Sequence, residues 1–312
     1  MNTGRFKTRQ DSRSGKNRYA MRKKGQDAIV KSYTFDQANW PKPGAYVRYT
    51  DGVTTYLIDN DSTAFYVSGD GTNFIEHEGM PSSGGWAKPV VVGEKHVTVQ
   101  YNGHAAIFDG SDWSTVVMPY AVSWTSIAYG TPIGVIVAVS QDGVFAKSTD
   151  GEHWDTVSVP IKLWSSVRWS LLLNAFVALS ESSILVSTDG EIWREVELPD
   201  VGYVEFAESD VVAVVASRSD PCAIAWSVNG TQWNSVDVGM KNGLTSIAYD
   251  EINGQFIATV ASSPRVLLSK DGRSWFEDDT PVFRNVKVTV DKGEVLVIDA
   301  KTSGQYQRGK VA

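Results

Sequence analysis

Metal binding, thiol chemistry and acid–base catalysis each need particular side chains brought within a few ångströms of one another. The scarce reactive residues of this 312-residue chain are therefore the place to begin. The four histidines, His77, His96, His104 and His153, are scattered, and none stands at a metal-ligand spacing from another. Cys222 is the only cysteine, which excludes an intrachain disulfide and a Cys-based metal site. It lies in the apolar stretch Cys222 to Trp226 and reads as a packing residue. Asp59 to Asp61 and the Asp278-Asp279 pair could attract calcium, but neither follows the twelve-residue EF-hand pattern, so both read as solvated loops. No glycine-rich stretch leads from a strand into a helix, as a phosphate cradle would. Neither a metal nor a cofactor is expected.

What does recur is a turn. Ser68 to Phe74, Ser148 to Trp154, Ser187 to Trp193, Ser227 to Trp233 and Ser269 to Trp275 share the form Ser-x-Asp/Asn-Gly-x-x-aromatic. A sixth copy, Ile107 to Trp113, lacks the leading serine. Its members are Asp70 and Gly71; Asp109, Gly110 and Trp113; Asp150, Gly151 and Trp154; Asp189, Gly190 and Trp193; Asn229, Gly230 and Trp233; and Asp271, Gly272 and Trp275. The Asp or Asn side chain can accept from backbone N–H groups ahead of it, and glycine supplies the positive φ that a tight hairpin requires. The aromatic then opens the next strand and can cover the turn.

The glycines fall 39, 41, 39, 40 and 42 residues apart, and between them lie short β segments instead of helical periods. After Trp113 come Trp124 to Tyr129, Gly134 to Ser140, Val144 to Ser148 and Trp154 to Val157, four strands in one repeat. Four strands in about 40 residues is the size of a propeller blade. Past Trp275 the chain has three strand-like stretches and no box, and Ser32 to Trp40 can supply the missing outer strand. The expected fold is all-β: a seven-bladed β-propeller with four-stranded blades over residues 32–312, closed by an N-terminal strand.

The spelling of the repeat, clearest at Ser148 to Trp154 and Ser187 to Trp193, resembles the Asp-box, or bacterial neuraminidase repeat, over residues 33–312. That repeat is known in sialidases, sortilin-type receptors, photosystem II assembly factors and tail-associated proteins of bacteriophages, and it marks a fold more firmly than an activity. In sialidases the site combines three arginines, an Asp acid/base and a Tyr nucleophile paired with a Glu. The resemblance offers Arg48, Arg168 and Arg284, on or beside expected inner strands, but the Arg-Ile-Pro signature is absent and no Tyr–Glu pair can be assigned. These arginines are read as capping polar groups or lining a wet channel, no catalytic residue is assigned, and the protein is expected not to be an enzyme.

Residues 1–31 form an extended basic arm. Arg5, Lys7, Arg9, Arg13, Lys16, Arg18, Arg22, Lys23, Lys24 and Lys31 face only Asp11 and Asp27, a net +8, whereas the rest of the chain, with 19 basic and 34 acidic residues, carries −15. Its composition is that of a segment that does not fold alone. It reads as a solvated tail, a nucleic-acid contact or a peptide that threads into an acidic assembly, and the last is adopted because charge runs are commonly interaction tails. Nucleic acid stays open, since phosphate contacts need no aromatics. No signal peptide or membrane-spanning stretch is evident. Together these features lead to the expectation of a non-enzymatic structural or adhesion component of a bacteriophage virion, on the tail or capsid, made in the host cytoplasm. Its arm would bind other virion proteins, and a glycan or host-surface ligand would meet loops such as Pro119-Tyr120, Lys162 to Trp164 and Asp200 to Tyr203. A sialidase-like glycan-binding or glycan-cleaving module and an intracellular assembly factor are the alternatives.

Overall fold

The computed structural model describes residues 33–41, 46–200, 202–219, 222–261, 263–278, 282, 286–291, 294–299 and 305–311. The basic arm, Arg284 and Asp279 lie outside them. Strand β1 (Tyr33–Asn39) opens the described chain. Blade 1 follows as β2 (Tyr46–Thr50), β3 (Thr55–Asp59), β4 (Ala64–Ser68) and β5 (Ile75–Glu78). Blade 2 is β6 (Val90–Val92), β7 (Lys95–Val99), β8 (His104–Phe108) and β9 (Trp113–Val117). Blade 3 is β10 (Trp124–Gly130), β11 (Val135–Ser140), β12 (Phe145–Ser148) and β13 (Asp155–Val157). Blade 4 is β14 (Ser166–Ser170), β15 (Ala175–Leu179), β16 (Ser183–Ser187) and β17 (Arg194–Glu197). Blade 5 is β18 (Tyr203–Glu208), β19 (Ala213–Ser217), β20 (Ala223–Ser227) and β21 (Asn234–Asp237). Blade 6 is β22 (Leu244–Asp250), β23 (Gln255–Val260), β24 (Val266–Ser269) and β25 (Phe276–Asp278). Blade 7 is composite: β26 (Val286–Asp291), β27 (Glu294–Asp299) and β28 (Gln305–Val311) are completed by β1, paired antiparallel from Tyr33↔Val311 to Asn39↔Gln305.

The seven-bladed propeller with an N-terminal closing strand is thus the observed architecture, and the described residues contain no helix. Its core is divided into seven apolar clusters, one in each gap between neighbouring blades. The strand period of two distributes one strand between two of them. On β15, Phe176 and Ala178 pack toward blade 3 while Val177 and Leu179 pack toward blade 5. Middle strands buried on both faces therefore read as continuous apolar runs, and all of β15 and β19 is buried.

The boxes close the hairpins between third and fourth strands. Asp150 Oδ1 accepts from the N–H groups of Glu152 and His153, both at 2.8 Å, and Ser148 Oγ accepts from Gly151 N at 2.8 Å. The pattern repeats at Asp189, Asn229 and Asp271. Each box aromatic packs on the preceding blade, Trp154 against blade 2 and Trp275 against blade 5. Gly151 has φ 80°, and a Cβ there would stand 2.8 Å from Val97 Cγ2, so both the turn and the close approach of the blades require glycine.

Candidate functional site

The alternation of hairpins gives the propeller two faces. Box turns and first-to-second-strand turns share one, and the loops that enter each new blade lie on the other. The proposed ligand loops belong to the entry face, where much of their chemistry is spent on packing. Trp164 and Tyr203 are fully buried, and Trp164 donates its indole N–H to Pro160 O at 3.2 Å. Trp124 does the same to Tyr120 O at 3.3 Å and Trp86 to Ser82 O at 3.0 Å, a second tryptophan series that the box spacing does not reveal. Lys162 is held by Glu195 and by Ser183 Oγ.

The histidines do not converge. His77 and His104 are exposed on β5 and β8, and His153 is an exposed box residue whose pKa is raised by the hydrogen bond from its ring to Asp150. His96 on β7 is buried against Tyr49, Tyr56 and Phe108, with Tyr49 Oη 3.0 Å from Nδ1, and burial lowers its pKa. Cys222 is buried in the cluster between blades 5 and 6. Asp59 caps its own turn through Asp61 N and Ser62 Oγ, and no group of three or more metal-ligating side chains occurs among the described residues.

The arginines separate as well. Arg48 leaves the axis: its guanidinium lies 6.0 Å from the Trp40 ring and 3.5 Å from Gly71 O. Arg168 stays near the axis, on the innermost strand of blade 4, and pairs with Glu205 on the innermost strand of blade 5, Nη2 to Oε1 at 2.9 Å. Ser246, on the innermost strand of blade 6 and fully buried, donates to Glu205 Oε2 at 2.6 Å and also lies 3.1 Å from Val288 O in blade 7. A hydroxyl has one proton to give, so the closer carboxylate oxygen takes the greater share of it. Below the pair, Glu208 accepts from Ser170 Oγ and from Leu171 N, the latter at 2.7 Å.

One carboxylate therefore ties together three blades, with Arg168 half-exposed at 50% and Glu205 at 22%. The ion pair is open to solvent on one side and backed by a buried hydroxyl on the other. Such a carboxylate can take a proton, and its guanidinium can receive developing negative charge. No motif announces the pair, since Arg168 and Glu205 belong to different repeats and meet only after the ring closes.

No family model matches the chain, and no curated protein matches it. Solved structures do match over most of its length. One is a streptogramin B lyase, 14% identical with a TM-score of 0.71, covering 88% of this chain and 98% of its own. Another is a catalytically inactive histidine-to-alanine variant of virginiamycin B lyase from Staphylococcus aureus with quinupristin, 12% identical, TM-score 0.72, covering 88% and 99%. A selenomethionine-substituted form of the same lyase gives 12%, 0.74, 90% and 100%. At this identity the likeness establishes the propeller fold, and these three structures are lyases, not Asp-box or phage tail proteins. The expectation of a non-enzymatic virion component is corrected by this finding: the matched structures are enzymes, and none of the three is a virion protein.

Proposed function

We propose that the protein is an enzyme of the lyase class, acting on a small polar substrate at the axis of the propeller. The observation that carries this reading is the Glu205 carboxylate, bracketed by Arg168 at 2.9 Å and Ser246 at 2.6 Å across three blades. Elimination needs a base to take a proton while the bond to a leaving group breaks and a double bond forms, and a cation can steady the negative charge that the leaving group carries away. Glu205 is the base, Arg168 the cation that orients the substrate, and Ser246 a positioning residue that fixes the carboxylate. The lyase with a replaced histidine supports the reaction class but not its catalytic group, because none of the four histidines here lies on an innermost strand.

The test is to incubate the protein with virginiamycin B, quinupristin and a panel of small polar metabolites and follow each compound by mass spectrometry. Turnover of at least one, reduced by roughly 100-fold or more in Glu205→Gln with the fold intact, is the expected result. Inactivity across the panel, or full activity in Glu205→Gln, overturns the reading.

A further inference from the structure

The box glycines let neighbouring blades approach closely, and what approaches them differs at one position. A Cβ added at Gly151, Gly190, Gly230 or Gly272 would meet Val97, Val137, Leu173 or Val214, in each case an apolar side chain of the preceding blade. At Gly71, in the gap between blades 7 and 1, it would instead meet three hydrogen-bond donors: Arg48 Nη2 at 3.3 Å, Thr55 Oγ1 at 3.6 Å and Arg308 Nη2 at 3.8 Å. Two guanidiniums, one from β2 of blade 1 and one from β28 of blade 7, thus converge with a hydroxyl on a single point.

Like charges brought together repel unless an acceptor lies between them. One acceptor is the Gly71 carbonyl, 2.8 Å from Arg308 Nη2 and 3.5 Å from Arg48 Nη1. Arg308 also stands 3.7 Å from Glu294 Oε2, on a carboxylate side chain that is 45% exposed. The box carboxylate of Asp70 is turned into its own hairpin, where it accepts from Ser68 Oγ, Thr72 N, Asn73 N and Asn73 Nδ2. Two donors at this seam have no partner among the described residues. One is Oγ1 of Thr55, a residue with no exposed surface, and the other is Nε of Arg308, also buried. Buried polar groups are ordinarily satisfied, so this pair points to a ligand that accepts from both.

We propose that the seam between blades 7 and 1 is a binding site for a small tetrahedral oxyanion, phosphate or sulfate, held by Arg48, Thr55 and Arg308. Guanidinium N–H groups match oxyanion oxygens in pairs, and the hydroxyl donates to a further oxygen. A tetrahedral ion offers oxygens in several directions, which suits donors arriving from β2, β3 and β28. It also supplies the full negative charge that a carbonyl lacks. Bound there, the ion joins the first blade to the last and favours the closed ring over any open form, since it binds only where both arginines meet.

The experiment uses the full chain with sodium phosphate and sodium sulfate as probes, against sodium chloride at equal ionic strength. Titration calorimetry is expected to show saturable one-to-one binding of at least one of the two, with a Kd of about 1 mM or below. A saturating concentration should raise the melting temperature by at least about 3 °C. Thr55→Val removes the hydroxyl at nearly constant shape, and because that group has no partner among the described residues, melting in chloride should stay unchanged or rise slightly. The same variant should bind the anion at least tenfold more weakly, and Arg48→Met more weakly still. Should Arg48→Met fail to fold, Thr55→Val decides alone. Saturable binding of neither ion, or binding that Thr55→Val leaves within twofold of the parent, overturns the proposal.

Discussion

Where Phe74 stands in the first box, the other boxes have an indole. Trp154, Trp193, Trp233 and Trp275 each donate Nε1–H to the carbonyl of their own box glycine, at 2.8, 3.1, 3.3 and 3.1 Å. A phenyl ring cannot, and Gly71 O instead accepts from Arg308 Nη2 at 2.8 Å, from a strand of blade 7 and 237 residues away. Arg308 thus does for blade 1 what a tryptophan does for the others, while also joining the first and last blades. Arg308→Ala should lower stability by about 1.5–3 kcal/mol, the usual worth of a hydrogen bond from a charged donor. Adding Phe74→Trp to that variant should recover part of the loss. Thermal melting of both would check this, and a Phe74→Trp change without benefit would refute the equivalence. The Trp113 indole, in the box without a serine, is buried with no hydrogen-bond partner, which marks blade 2 as the departure from the pattern.

At the scale of the turn, ionised carboxylates are built into the hairpins. Backbone N–H groups hold the carboxyls of Asp70, Asp109 and Asp150 below the usual range, led by those of Asn73, Asp112 and His153 respectively. A carboxyl whose folded pKa is depressed contributes stability above its unfolded pKa of about 3.9 and loses it as pH falls through the folded value. Melting temperature should therefore hold steady down to about pH 4 and fall below it. Asp150→Asn, which copies the neutral Asn229 of blade 5, should flatten that fall; an unchanged acid limb would show that other groups set it. The turns and strands were legible in the sequence because each is local: Asp-Gly fixes a hairpin and an apolar run of five fixes a doubly covered strand such as β15. The axial pair was not, because nothing near Arg168 predicts that a neighbouring blade will bring Glu205 to it. Arg48 caps a polar group, as expected of these arginines, but which one was not legible: an inner-strand position leaves open which blade gap a long side chain enters, and it runs toward Gly71.

Over the whole molecule, stability is shared among seven interfaces, and the seventh depends on a strand from the opposite end of the chain. Trp40 stacks on Tyr306 there, ring centroids 4.0 Å apart, beside Leu57, Tyr66 and Leu296. A chain beginning at Trp40, without β1, should melt at least about 5 °C lower and associate through the bared edge of β28. Scanning calorimetry with sedimentation would measure both, and an unchanged monomer would show that three strands suffice for blade 7. The same pairing carries a consequence for how the molecule is made. During synthesis β1 emerges ahead of all seven blades' other described strands and finds no partner until Gln305–Val311 has left the ribosome. Six blades can fold in order, but the ring stays open until β28 is available, so a product truncated before it leaves β1 without a partner and the edge of β27 bare to quality control.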